Sequence, residues 1–164
     1  MIIIGIDPGM DGAVAAIDGE SRQLLRLEDT PVLQAGKGRE YDVSGMADLL
    51  RSMVLGHSAR VVIERAQAMT KNGVKQGVSS SFLFGMGYGI WIGVIGALGI
   101  PYATVRPIDW TKRILKGVPG EGKARSILLA SQTFPGIELV PPGCRKPRDG
   151  RADAACLAYY GLTA

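Results

Sequence analysis

Residues 1–29 read MIIIGIDPGMDGAVAAIDGESRQLLRLED, and the way this stretch breaks sets the fold. Ile2, Ile3, Ile4 and Ile6 make an almost continuous apolar run. Such a run alternates too little for a strand with one face in water, and it predicts a central strand buried on both sides. Pro8-Gly9-Met10-Asp11-Gly12 is a tight turn. GAVAAIDG then predicts a second strand closed by another turn, and SRQLLRLED a third. The links are short enough to join antiparallel neighbours, so the chain opens as a three-strand meander.

Downstream, the pattern changes from period two to helical spacing. Residues 31–42 read as a polar loop. DVSGMADLLRSMVLG places Met46, Leu49, Leu50 and Met53 on one helical face, with Asp42 or Ser44 as cap. ARVVIERA predicts a short buried strand, and QAMTKNGVKQG a loop leading into a long glycine-rich helix. IPYATVRP predicts a strand, and PIDWTKRIL a short helix with Pro107 in its first turn. GEGKARSILLASQTF predicts another helix, and the last begins near Arg148, burying Ala155, Leu157, Ala158 and Tyr159. Three meander strands followed by alternating helices and strands describe one α/β domain over residues 1–164. Its expected form is a mixed five-stranded sheet flanked by helices, the element order of the ribonuclease H-like fold. Strand order is not readable from the sequence.

The composition is consistent with a packed globule. Hydrophobic residues make up 46% of 164, enough for a real core. A net charge of +4 is compatible with a polyanionic partner. Cys144 and Cys156 have neither metal-ligand spacing nor the number for a disulfide framework, so a reducing cytosol is expected. MIIIGIDPG lacks a basic leader region and reads as a strand, not a signal peptide. No charged residue occurs between Gln76 and Val105, and roughly 20 apolar residues can span a bilayer. The six glycines between Gly85 and Gly99, the serines at 79–81 and the soluble pattern on either side argue for a packed helix instead.

Four carboxylates stand out. Asp7 and Glu64 each end a strongly apolar strand, where open α/β sheets place ligand sites and a bare carboxylate is costly unless paired or metal-bound. Asp149 and Asp153 share a helix face at i, i+4. Ordinary roles exist for each: a helix-dipole carboxylate for Asp149, an Asp-Pro-Gly turn for Asp7, an ion pair with Arg60 or Arg65 for Glu64. Together, without matching His or Cys, they suggest the hard cations Mg²⁺ or Mn²⁺. GIDPGMDGAVAAID also resembles the first phosphate loop of sugar kinases and actin-like ATPases. Those need two such domains and a second phosphate motif, for which 164 residues leave no room.

With these motifs in place, the chain resembles the RuvC-type Holliday junction resolvases over nearly its whole length. The likeness rests on GIDPGMDGAVAAID, VVIERAQAMTKNGVKQG, GKARSILLASQTFP and DGRADAACLAYYG. It is nearest to the phage and chloroplast branch, through Lys75-Gln76-Gly77, Ser81, Phe82, Tyr88-Gly89 and Trp91-Ile92-Gly93. The resemblance implies that Asp7, Glu64, Asp149 and Asp153 are catalytic metal ligands and that Lys123 assists. The bacterial pattern has two aspartates three apart, which would pair Asp153 with Cys156. Matching DAACLAYY to the segment after the second aspartate instead makes Asp149 the first, at spacing four.

The implied activity is metal-dependent cleavage of four-way DNA junctions by paired cuts on opposed strands. Two Mg²⁺ or Mn²⁺ ions per active site, roughly 4 Å apart, would hold the attacking water and the leaving oxygen, with Asp7 bridging them. Met69, Lys71, Lys75, Lys112, Arg113, Lys116, Arg125, Lys146 and Arg148 are the expected DNA contacts, Met69 as an apolar wedge at the junction centre. Ser81, Gly85, Gly89 and Gly93 form a smooth helical stripe expected at the interface of a homodimer, whose two-fold axis matches that of the junction. Neither a membrane nor a small-molecule cofactor is expected, and the setting is the cytosol of a bacterium or phage-infected host. The alternatives are a nuclease for RNA–DNA hybrids and a junction-binding protein with little cleavage.

Overall fold

The computed structural model describes residues 1–66, 70–71, 74–75 and 77–163. Its core is β1 (Ile2–Ile6), buried at every position. β2 (Ala13–Asp18) and β3 (Leu24–Asp29) follow it as an antiparallel meander, with an irregularity in register at Ala16/Ile17. On the other side β6 (Ala59–Glu64) pairs parallel to β1, and β9 (Tyr102–Val105) parallel to β6. The spatial order is β3-β2-β1-β6-β9, the mixed five-stranded sheet expected from the element pattern.

Strand side chains alternate between faces, which explains why β1 reads as a continuous apolar run. Ile3 joins Ala13, Ala15, Ile17 and Val62 under α5 (Asp149–Thr163). Ile2, Ile4 and Ile6 join Val14, Val61 and Ile63 under α1 (Val43–Val54) and α2 (Val78–Ala97). Both faces are covered, so neither can be polar. α1 starts where Asp42 accepts a bond from the Gly45 N–H at 2.8 Å. This satisfies one of the amides a helix start leaves without a partner. α3 (Pro107–Ile114) opens on its proline and α4 (Ala124–Thr133) packs on α5.

α5 is buried almost all round, from Gly150 through Ala158 except at Asp153, and again at Gly161. A β-carbon on Gly5 would overlap the Ala154 carbonyl and the Ala158 nitrogen. One on Gly150 would overlap the Asp11 carbonyl. These two glycines let the α5 backbone lie directly on β1 and on the β1–β2 turn. Arg151, 7% exposed, fixes the same helix from the other side by donating to Asp29 (2.9 Å), the Leu27 carbonyl (3.1 Å) and the Glu138 carbonyl (2.9 Å).

Two segments expected as loops contain strands. Within 31–42, β4 (Val32–Ala35) and β5 (Gly38–Tyr41) form a hairpin turning at Gly36, whose φ is +56°. Its residues are mostly exposed, and β5 sets Arg39 and Glu40 side by side, so no apolar–polar alternation marks the pair. β7 (Thr70–Lys71) and β8 (Val74–Lys75) form a two-residue ladder. α2 is long and apolar enough to cross a membrane by length and composition. Trp91, Val94 and Ile95 on one face are packed in the core, while Val78 and Phe82 are 87% and 68% exposed.

Candidate active site

The register of two parallel strands builds the site. Ile6 pairs with Ile63, so the next residues, Asp7 just past β1 and Glu64 at the last position of β6, stand side by side at the carboxyl edge of the sheet. The Asp7 N–H still bonds the Ala13 carbonyl at 3.0 Å, which holds it in line with β1. By alternation Asp7 follows Ile3 and Gly5, and Glu64 follows Val62, all on the face that α5 covers. α5 brings Asp149 in its first position and Asp153 one turn on. These four carboxylates line a cavity of about 790 Å³ with Lys123, Trp110, Ser126, Asp11, Phe84 and Arg65 among its other walls.

The electrostatics are those of crowded, uncompensated acids. Burial pushes Asp7 up to about 7, with the like charges of Asp153 and Glu64 adding to it and the Gly9 N–H and Lys123 opposing. Burial likewise pushes Glu64 up to about 7. The Trp110 indole N–H, donating to Glu64 Oε2 at 2.6 Å, holds that rise back, while Asp153 adds to it. Asp153 is raised by burial, offset by the Ser126 hydroxyl and Lys123. Protein atoms surround all three, yet each keeps an edge open to the cleft. Strongly shifted acids in a concave site mark a place built for function.

Asp149 differs from these three, because its carboxylate is ion-paired with Lys123. Lys123 itself stands exposed at the start of α4. Oxygen-only donors with so little counter-charge fit a hard divalent cation. Among the described residues no three of them close on a single point, so a complete shell would require these side chains to draw together. The alternative pairing of Asp153 with Cys156 finds no support. Cys156 is 1% exposed, its thiol lies 3.6 Å from the Ser126 carbonyl, and burial raises its pKa further.

Trp110, Asp11 and Ser126 were given no role by the sequence. Trp110 orients Glu64 across 46 residues of chain. Asp11 accepts a bond from Arg39 at 2.9 Å, tying the β4–β5 hairpin to the rim of the cleft and holding the Asp11 carboxyl below its ordinary range. An aspartate in a Gly-Met-Asp-Gly turn was the only available signal, and it reads equally as turn chemistry.

The expected DNA contacts divide by position. Lys112, Arg113, Lys116 and Lys146 are exposed. Arg125 lines the cleft, but its guanidinium is spent on the Val118 and Leu115 carbonyls. Arg148 reaches Asp29 at 3.4 Å and the Cys144 sulfur at 3.6 Å. Met69 lies outside the described residues, and only the backbone of Lys71 and Lys75 is described. On α2, Ser81 is half-buried, while Gly85, Gly89 and Gly93 face open space where a β-carbon would meet nothing within 4 Å.

No protein-family model matches the sequence, and no curated protein matches it. Solved structures do match. Thermus thermophilus RuvC in complex with a Holliday junction substrate superposes with a TM-score of 0.64 at 17% identity, covering 99% of this chain and 94% of that one. Another Thermus thermophilus RuvC structure gives 0.62 at 19% identity, covering 98% and 92%. The yeast mitochondrial Holliday junction resolvase gives 0.59 at 16%, covering 98% and 77%. The chain therefore has the α/β, ribonuclease H-like fold of these resolvases. These matches do not discriminate the phage and chloroplast branch from the others.

Proposed function

We propose that the chain is a RuvC-type endonuclease that resolves four-way DNA junctions by metal-dependent hydrolysis of phosphodiesters on opposed strands. The observation that carries this reading is the convergence of Asp7, Glu64 and Asp153 from three separate elements into one cleft, against the electrostatic penalty of assembling them. A fold that gained nothing from those charges would have replaced them with apolar residues. The three structural neighbours, all junction resolvases, support the same reading.

Asp7, Glu64 and Asp153 would hold Mg²⁺ or Mn²⁺, two ions per site, with Asp149 as a fourth ligand. Bound there, divalent cations supply an activated water and charge neutralisation at the phosphate. The protein's own part is positional. Trp110 fixes the Glu64 carboxylate through Oε2. Gly5 and Gly150 keep α5 close enough for Asp153 to meet Asp7. Lys123, poised at the cleft mouth, would neutralise charge building on the phosphate, which stabilises the transition state more than the ground state.

The open face of α2 suits a second copy of this chain. Gly85, Gly89 and Gly93 give a smooth surface beside exposed Val78, Phe82 and Leu83, and a two-fold dimer would set two active sites on opposed strands. Two free thiols accord with a cytosolic setting in a bacterium or infected host. The direct test is incubation with Mg²⁺ or Mn²⁺ and a labelled four-way junction, a duplex or an RNA–DNA hybrid. Preferential cutting of the junction is expected. Preferential cutting of the hybrid would assign a ribonuclease H activity instead, and tight junction binding without cutting would assign a binding protein.

A further inference from the structure

A second concave surface lies at the β9 edge of the sheet, beyond α5. It has a volume of about 330 Å³ and is lined by Arg60, Arg65, Arg106, Asp109 and Tyr160 with the β9 backbone. Arg60 and Val62 of β6 point to the face that α5 covers, but α5 passes to one side and leaves Arg60 partly open near Tyr160. Arg113 of α3 lies over the Tyr160 ring, 5.4 Å from its centroid. Arg106 is neutralised by Asp109 through bonds of 2.7 and 2.8 Å. Among the described residues Arg60, Arg65 and Arg113 form no salt bridge, in contrast to Arg106.

Like charges gathered in one hollow repel one another, and folding alone does not reward the arrangement; a polyanion does. Guanidinium groups suit phosphates because their planar forks donate in pairs. The groove also adjoins the catalytic cleft, since Arg65 lines both. We propose that this groove is a second nucleic-acid subsite, taking the sugar–phosphate backbone of the strand that leaves the catalytic cleft past Arg65. The proposal rests on the endonuclease reading and adds to it a place and a direction for one arm of the substrate.

Its reach follows from strand geometry. From Arg65 to Arg60 is five residues of extended chain, about 16 Å at about 3.3 Å each. A B-form strand advances about 3.4 Å per nucleotide along the axis, so an arm lying along the groove reaches its far end about five nucleotides beyond the cleft. No base edge is read, and binding there should be independent of sequence.

The test uses Asp7→Asn as an uncut parent, with Arg60→Gln and Arg113→Gln added singly and Arg22→Gln, in the β2–β3 turn at the opposite edge of the sheet, as a control for net charge. Binding is measured by fluorescence anisotropy across a salt series, on junctions with long arms, junctions truncated within about five nucleotides of the branch, and linear duplex. Each groove variant should bind long-armed junctions about threefold to tenfold more weakly than the parent, with a log–log salt slope shallower by about one. The truncated junctions should not distinguish groove variants from parent, and Arg22→Gln should match the parent throughout. Unchanged affinity and slope on long arms, or equal losses on truncated arms and with Arg22→Gln, would overturn the groove while leaving the nuclease reading intact. A parent that binds neither junction nor duplex would remove both.

Discussion

Asp7→Asn replaces a charge with an amide of nearly the same size, so its effect on stability reads the electrostatics of the cleft directly. Burial and the neighbouring Asp153 and Glu64 raise Asp7 from an ordinary 3.8 to about 7. The folded protein therefore keeps this proton to about pH 7, while the unfolded chain gives it up near 3.8. Across that interval the unfolded state binds fewer protons, and stability falls as pH rises; above it the penalty is complete and constant. At 1.36 kcal/mol per pH unit the interval sets a ceiling of about 4 kcal/mol. The open edge of the carboxylate and salt screening reduce this to about 2 kcal/mol, or about 4–8 °C in Tm for a chain of this size.

Metal-free Asp7→Asn should therefore melt above the parent at pH 8, and the gain should shrink towards pH 5. Adding Mg²⁺ or Mn²⁺ should raise the parent's Tm and narrow or reverse the difference, because the parent alone would keep a full ligand set. Scanning fluorimetry with chelator and with metal, across pH 5 to 8, measures all of this. A variant that melts at or below the parent at pH 8 without metal, or whose gain is the same at pH 5 and pH 8, would refute the reasoning.

Three further outcomes follow from the same geometry. Lys123→Ala should slow single-turnover cleavage by about tenfold or more while changing junction affinity little; an unchanged rate with weaker binding would make Lys123 a phosphate contact only. Gly5→Ala should destabilise the fold by roughly 1–3 kcal/mol in urea titrations, since its β-carbon would strike the α5 backbone at Ala154 and Ala158; full stability would show that α5 has room to move. Gly89→Leu should fold normally, because its side chain would enter open space, yet sediment as a monomer and nick a cruciform plasmid without linearising it; a dimer that still linearises it would put Gly89 outside the interface.

The parts legible in the sequence were those with a local cause. The buried run of β1, the Asp42 cap and the helical spacing of α1 each follow from a few neighbouring residues. Asp7 and Glu64 stood out because each breaks an apolar strand at its end. Strand order was not legible, since the adjacency of β1, β6 and β9 is fixed by packing between segments far apart in the chain. The β4–β5 hairpin was missed because four-residue exposed strands such as Gly38–Tyr41 carry charges that mask alternation. Trp110 reads as a core aromatic, and it is one at 3% exposure; only the fold brings its N–H to Glu64. Arg148 and Arg125 read as free cations, whereas the structure gives their guanidinium groups partners within the protein.

The measurement that bears most directly on the central claim is strand-resolved cleavage of a four-way junction, each of its four strands end-labelled in turn. With Mg²⁺ or Mn²⁺ the protein should cut one opposed pair of strands at symmetric positions near the branch. Chelator, Asp7→Asn and Glu64→Gln should each abolish the cuts while leaving the junction bound. Cuts that persist in Asp7→Asn or in chelator, or that fall on unpaired strands and on linear duplex equally, would contradict the assignment of these carboxylates to metal-dependent junction resolution.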